Sequence, residues 1–180
     1  LIRLSFNHFF IQEMTMKNSL ITLEAPFGAM LIKKNHHKLH IELSHAIETY
    51  LPEDAIESAE AGDEITSLCD QLQAYFKDKN IVFNLPFNPV QHQQGTDFQK
   101  RVWQAISEIP IGETQTYSDI AKKIGSGPRA VANACGANVL PIIIPCHRVV
   151  AKNGVGGFMQ GKPQGLMIKK WLLQHEGVRL

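Results

Sequence analysis

"GETQTYSDIAKKIGSGPRAVANACGAN", residues 112–138, decides the architecture of this chain. Thr116 is suited to cap a short helix in which Ile120 and Ala121 face inward and Gly125 ends the run. Asp119 falls in the first turn, where a carboxylate complements the helix dipole. Pro128 then stands at a first helical position and opens a second short helix through "PRAVANACGAN". Two short helices across a three-residue turn with two glycines make a helix-turn-helix. Helical hairpins that bind nothing share the pattern, as does an Ala-rich helix packed in a core. Charge weighs between these readings. Residues 95–180 hold 11 Lys/Arg against 5 Asp/Glu, a balance of +6, whereas residues 1–94 hold 7 against 12, a balance of −5. A basic half built around a helix-turn-helix is expected to bind a polyanion.

Upstream of this stretch, "FQKRVWQAISEI" repeats apolar residues at 98, 102, 105/106 and 109 and predicts a helix, capped near Thr96-Asp97 and stopped at Pro110. The polar "VQHQQGT" before it reads as a linker, which puts the domain boundary at 94/95. The first half predicts an α+β unit: strands in "SLITLEAP", "GAMLIKK" and "KLHIELS", and a helix in "DEITSLCDQLQAYFKD". On that helix Ile65, Leu68, Cys69, Leu72, Tyr75 and Phe76 share a face, and a closing strand is expected in "IVFNLPFNP". The first fifteen or so residues read as an upstream extension, with Met14 or Met16 as a natural start.

With 44% hydrophobic residues the chain can build a sizeable core. No window approaches the roughly 18 uninterrupted apolar residues of a membrane span, and the opening lacks the pattern of a signal peptide. A soluble, cytoplasmic protein is expected. Three cysteines, Cys69, Cys135 and Cys146, are too few for a disulfide framework and lack zinc spacing. His36, His37 and His40 invite a metal reading, but no thiol or carboxylate pattern joins them, so no metal is expected.

The chemistry is in "IPCHRVV", residues 144–150. Ile142, Ile143 and Ile144 have the β-branched character of a buried strand, and Pro145 ends its hydrogen bonding, so the Cys146 thiol is expected at the tip of a rigid element. His147 and Arg148 favour a thiolate electrostatically. Side chains at adjacent positions diverge, which argues against a direct Cys–His hydrogen bond and for a bridging water. By themselves, His147 reads equally as a satisfied surface histidine, Glu176 as an exposed helix-end carboxylate and Asn138 as a C-cap.

From about Phe98 to Gly177 several separated motifs occur in one order: "FQKRVWQAISEIPIGETQTYSDIA", "PRAVANACGAN", "PIIIPCHRVV" and "GLMIKKWLLQHEG". Together they resemble the O6-alkylguanine-DNA alkyltransferase family. The first half resembles it only in size and α+β character. The resemblance implies a ribonuclease-H-like N-terminal α/β domain over 1–94 and a mostly helical winged helix-turn-helix domain over 95–180. It implies direct repair of double-stranded DNA: an alkyl group leaves O6 of guanine, or O4 of thymine, and stays on the protein's own cysteine. No cofactor and a monomeric protein are implied. Cys146 matches the alkyl acceptor, His147 the water-mediated base, Glu176 the carboxylate orienting it and Asn138 the brace of the active-site turn. Tyr117 matches the tyrosine beside the rotated nucleotide, and Arg129 the finger that fills the vacated stack. Ala130 lies on the helix offered to the minor groove. Arg148, Val149 through its backbone, Phe158 and Met159 are expected at the DNA or the base.

Departures from the pattern concentrate in "VGGFMQGKPQGL", which carries a short insertion and puts Phe158 and Met159 where a tyrosine and a small residue are expected. The insertion lengthens the pocket wall, and its glycines, Gly156, Gly157, Gly161 and Gly165, suggest a wall that moves to admit a bulky group such as benzyl; the opposing reading is that Met159 fills the space and selects methyl. The competing functions are a non-catalytic lesion sensor and a DNA-binding regulator. Retention of Cys146, His147 and Glu176 argues against the first, and absence of a four-cysteine module against the second.

Overall fold

A computed structural model describes residues 9–13, 18–35, 38–45, 63–162 and 164–180. It separates into two units, Leu1–Ile81 and Val82–Leu180. Among the described residues no helix is long and apolar enough to cross a membrane.

Among the described residues, the first unit is an antiparallel meander with one helix. β1 (Phe9–Glu13), β2 (Asn18–Ala25), β3 (Gly28–Asn35) and β4 (Lys38–Ser44) lie in the order β1-β2-β3-β4. β1 falls within the stretch read as an extension and pairs with β2, Ile11 opposite Ile21; Met14 and Met16 lie outside the described residues. The β2–β3 turn is Pro26-Phe27, and Gly28 follows at φ 132°, where a Cβ would lie 2.4 Å from the Ser44 carbonyl oxygen. Only glycine fits that approach. α1 (Asp63–Lys77) buries Ile65, Leu68, Cys69, Leu72 and Tyr75, as its periodicity predicts. His40 is exposed on β4, while His36 and His37 lie outside the described residues; among the described residues no cluster of metal-ligating side chains occurs.

The second unit is helical, and it corrects the reading of residues 81–94. "IVFNLPFNP" makes no strand: its spaced prolines and asparagines leave residues 81–88 irregular. Asn88 instead caps a short helix, α2 (Pro89–His92), by accepting from the Val90 and Gln91 amides. The stretch after it does not behave as a linker either, since Gln93 is buried. α3 (Asp97–Ser107) begins with a capping box between Thr96 and Gln99 and buries Val102, Trp103, Ala105 and Ile106.

β5 (Gln115–Thr116) leads directly into α4 (Tyr117–Ile124), which opens with a Thr116–Asp119 capping box and ends at Gly125 in the left-handed region, φ 67°. α5 (Pro128–Gly136) follows. The expected helix-turn-helix is therefore present with its expected caps. The indole of Trp103 donates to the Ala134 carbonyl at 2.8 Å and fixes α3 against α5. Val131 and Ala134 face the core. Arg129 and Asn133 are exposed, and Ala130 and Ala132 half-buried, so the outer face of α5 is small apart from the arginine. β6 (Val149–Val150) pairs in parallel with β5, and α6 (Gly165–His175) closes the unit.

Candidate active site

The three isoleucines before Cys146 do not form a strand. Pro141 and Ile144 make an isolated bridge, Ile142 takes φ 75°, and the Ile144 amide donates to the Leu140 carbonyl at 2.9 Å. Prolines on both sides prevent a ladder, and burial of Ile142 and Ile144 stabilises the tight turn in place of strand pairing. Cys146 then starts a single 3₁₀ turn, Cys146–Arg148.

Asn138 braces this turn. Its Nδ2 donates to the Ile144 carbonyl at 2.9 Å and to Cys146 Sγ at 3.2 Å, while its Oδ1 accepts the Leu140 amide at 3.0 Å. Gln93 completes the network, donating to Asn138 Oδ1 at 3.3 Å and accepting the Val139 amide at 3.0 Å. The role of Gln93 was hidden in the sequence because it sits in a polar run with three other amide or imidazole side chains.

His147 and Glu176 are both fully buried, not surface residues, and His147 Nε2 lies 3.0 Å from Glu176 Oε1. Arg148 grips the same carboxylate through two bonds, Nε to Oε2 at 2.8 Å and Nη2 to Oε1 at 2.7 Å, and its Nη1 donates to the Ile109 carbonyl at 2.7 Å. This corrects the expectation that Arg148 faces DNA or a base. A bidentate grip on a buried carboxylate uses the planar guanidinium in the way that makes arginine the residue for such sites. Burial works to raise the Glu176 carboxyl, but the hydrogen bonds and charges of His147 and Arg148 outweigh it and hold it well below the usual carboxylate range. An ionised carboxylate only accepts, so His147 carries its proton on Nε2 and presents a lone pair at Nδ1. That Nδ1 is buried with no hydrogen-bond partner among the described residues, and no direct bond to Cys146 occurs among them.

Cys146 opens onto a cavity of about 190 Å³. Its walls come from Tyr117 at the start of α4, from Ala132, Cys135 and Gly136 on α5, and from the 157–161 loop, which includes Phe158 and Met159. The parallel pairing of Thr116 with Val150 brings Tyr117 to the cysteine side of the unit, and the Tyr117 hydroxyl donates to the Gly157 carbonyl at 3.2 Å. Val149 is buried, and its carbonyl accepts from Lys169 Nζ at 2.6 Å.

Lys169 is a second residue that sequence reading missed. It is fully buried, donates also to the Gly157 carbonyl at 3.0 Å, and lies 5.7 Å from the centre of the Tyr117 ring. Burial pulls its ammonium down to about 8, against which Cys146 and Cys135 pull upward. The signal was present: Ile168, Leu172 and Leu173 define the buried stripe of α6, and a lysine at 169 interrupts it.

Burial pushes the Cys146 thiol up, opposed by the Asn138 hydrogen bond and the Lys169 charge. Burial also lowers His147, against the pull of Glu176, so the imidazole is neutral at pH 7. The resting pair is thus a neutral thiol near a neutral base whose other nitrogen is anchored to a carboxylate. Such an arrangement ionises the thiol when a substrate accepts the sulfur and holds the proton meanwhile. Burial likewise raises Cys135 and Cys69, both to about 12, so what sets Cys146 apart is the Asn138 hydrogen bond to its sulfur and the His147–Glu176 pair that follows it in the chain. Arg129 stands exposed on α5 with no hydrogen bond or ion pair among the described residues.

Fold and site together define a two-unit protein in which a helix-turn-helix borders a cavity holding a cysteine with an attached His–Glu pair. Residues 97–178 match the family described as 6-O-methylguanine DNA methyltransferase, DNA binding domain. The chain is 42% identical over 158 residues to a methylated-DNA–protein-cysteine methyltransferase of Methanosarcina barkeri, covering 86% of this chain and 94% of that protein. It is similar to the crystal structure of the Mycobacterium tuberculosis O6-methylguanine methyltransferase, with a TM-score of 0.67 and 32% identity over 86% of this chain and 90% of that one. A structure of the mycobacterial protein in complex with DNA matches with a TM-score of 0.65 and 32% identity, covering 86% of this chain and 90% of that one. The chain belongs to the methylated-DNA–protein-cysteine methyltransferase family.

Proposed function

We propose that this protein repairs double-stranded DNA by moving the alkyl group of O6-alkylguanine, and of O4-alkylthymine, irreversibly onto Cys146. The observation that carries this reading is the Cys146 thiol, held by Asn138 at the cavity, with a buried His147 whose Nδ1 is unpartnered and whose Nε2 is anchored on Glu176. A damaged base cannot bring its O6 substituent to a protein thiol from within a duplex, so it is rotated out, at a cost of about a few kcal/mol. The small outer face of α5 allows close approach in the minor groove, and Arg129 fills the space left in the stack.

In the cavity, Cys146 Sγ attacks the saturated carbon. The S–C bond forms as the C–O6 bond breaks, and its electron pair stays on O6. The thiol proton passes through water to His147 Nδ1; the departing guanine takes one proton from solvent and His147 afterwards releases its own, so no net proton is gained or lost. Tyr117, held as a phenol by burial that raises it to about 12, has a single hydroxyl proton, which turns from the Gly157 carbonyl to the rotated base when the base enters. A second lone pair of the Val149 carbonyl, beside the one used by Lys169, accepts from the base edge. Lys169 supports the developing thiolate. No step regenerates the thiol, so each molecule acts once. The test is intact mass after incubation with a duplex carrying one O6-methylguanine: a gain of one methyl group per molecule, without turnover, is expected, and an unchanged mass or catalytic turnover refutes the reading.

Two further results are expected. Arg129→Ala slows repair of duplex substrate about tenfold or more, equal to ~1.4 kcal/mol of the barrier, and leaves reaction with free O6-methylguanine far less affected. Equal losses on both substrates remove Arg129 from extrusion. DNA affinity also falls steeply with added salt as counterions return to the phosphates.

The pH profile follows from the two buried groups. With the His147 pKa lowered, the wild-type rate is flat through neutrality and declines only below the ordinary imidazole range near about 6.5. His147→Ala has no base, so its rate climbs with pH as the raised Cys146 thiol ionises. Single-turnover rates across pH check both slopes; parallel profiles exclude the relay.

A further inference from the structure

The cavity wall opposite α5 is the inserted loop, and its backbone is unusual. Met159 and Gln160 take φ 49° and 55°, and Gly161 follows at φ 80°. For L residues the left-handed region costs about 1–2 kcal/mol each, and such strain persists only where the surroundings hold it. Several contacts hold it here. The Gly161 and Lys162 amides donate to the Phe158 and Met159 carbonyls at 3.0 and 3.2 Å. Gly165 lets the loop lie on the start of α6, since a Cβ there would come 2.7 Å from the Phe158 carbonyl oxygen.

The remaining contact spans the cavity mouth. Gln160 Nε2 donates to the Gly136 carbonyl at 3.0 Å. Gly136 is the last residue of α5, where carbonyls lack helical partners, and it and Gln160 both line the cavity. A Cβ on Gly136 would touch Gln160 Cγ at 3.6 Å, so the glutamine side chain lies close along the helix end. Gly161, one of the glycines that suggested a movable wall, therefore sits in a turn tied across the opening.

We propose that Gln160 is a specificity-determining positioning residue: by tying the Met159–Gly161 turn to Gly136, it restricts the cavity to bases carrying small alkyl groups. This rests on the reading of Cys146 as the alkyl acceptor. The cavity of about 190 Å³ compares with about 150 Å³ for one that holds a benzene molecule. It accommodates a purine edge with a methyl-sized substituent, and a second aromatic ring requires the turn to move. Releasing the turn opens that space without touching the nucleophile.

The experiment compares second-order inactivation rate constants for O6-benzylguanine and O6-methylguanine as free bases. A benzylic carbon is intrinsically the more reactive toward displacement, so an unobstructed site favours benzyl. Wild-type protein is expected to react with benzyl no faster than with methyl. Gln160→Met, which keeps length but has no donor, and Gln160→Ala each raise the benzyl-to-methyl ratio by about tenfold, the scale on which pocket shape discriminates substrates. A faster benzyl reaction in wild type, or an unchanged ratio in both variants, overturns the proposal while the functional reading stands. A wild-type protein that gains no methyl from methylated duplex overturns both.

Discussion

Cys146→Ala protein will take up no methyl group from duplex DNA carrying O6-methylguanine, yet will bind that duplex as the wild type does. The loss is expected to exceed about 10⁴-fold, because removing the nucleophile removes the step that every other group at the site assists. Cys146→Ser is expected to be as inactive, since a neutral serine hydroxyl is a weak nucleophile and the surrounding burial that already raises the thiol opposes an alkoxide still more. The other two thiols do not substitute. Cys69 is in the core of the first unit, and Cys135, although it lines the cavity, is not the thiol that Asn138 braces. Peptide mapping of the alkylated wild type should place the methyl on Cys146 alone, and Cys135→Ser should keep transfer. A methyl on Cys135, or uptake by Cys146→Ala, would refute the assignment. Retained duplex binding matters as much as lost transfer, because it separates a missing nucleophile from a misfolded protein.

The parts of this site that were legible in the sequence are those fixed by local rules. The Thr116 and Gly125 caps and Pro128 at its helix start act within a turn of the chain, so the helix-turn-helix could be read from residue types. Cys146 and His147 were legible as chemistry, and their adjacency correctly argued against direct contact. What was not legible depended on distant partners. Nothing near Arg148 in sequence indicates that Glu176 and Ile109 take its donors, so an arginine beside the nucleophile read as a DNA contact. Gln93 joins the Asn138 brace across 45 residues, from a stretch whose polarity read as a linker. The isoleucine run misled for a different reason: β-branched residues signal burial as much as pairing, and flanking prolines left burial in a turn as the outcome. Lys169 shows the converse case, a charge on an apolar stripe whose partners, the Val149 and Gly157 carbonyls, lie 20 and 12 residues away.

Glu176→Gln is expected to lose both rate and stability, and a second substitution separates the two. The amide cannot neutralise Arg148 or stabilise a protonated His147, so single-turnover transfer should slow by about 10²- to 10⁴-fold, the range for losing a partner in proton transfer. Breaking a buried ion pair by removing one member costs about 3–5 kcal/mol, and Arg148→Met should cost a similar amount by leaving the carboxylate with His147 alone. The double variant Glu176→Gln/Arg148→Met removes both buried charges and should recover much of the stability. It should not recover the rate, because the imidazole still lacks its carboxylate. The pH dependence has a definite sign. The folded Glu176 carboxyl lies well below its unfolded value near about 4.3, so its contribution is fully present above that pH and is lost as pH falls toward the folded value. The stability gap between wild type and Glu176→Gln, measured by urea unfolding, should therefore be constant from neutrality to about pH 5 and narrow below about pH 4. A double variant whose transfer rate recovers together with its stability would make Glu176 a structural anchor for Arg148 and leave His147 to act without it.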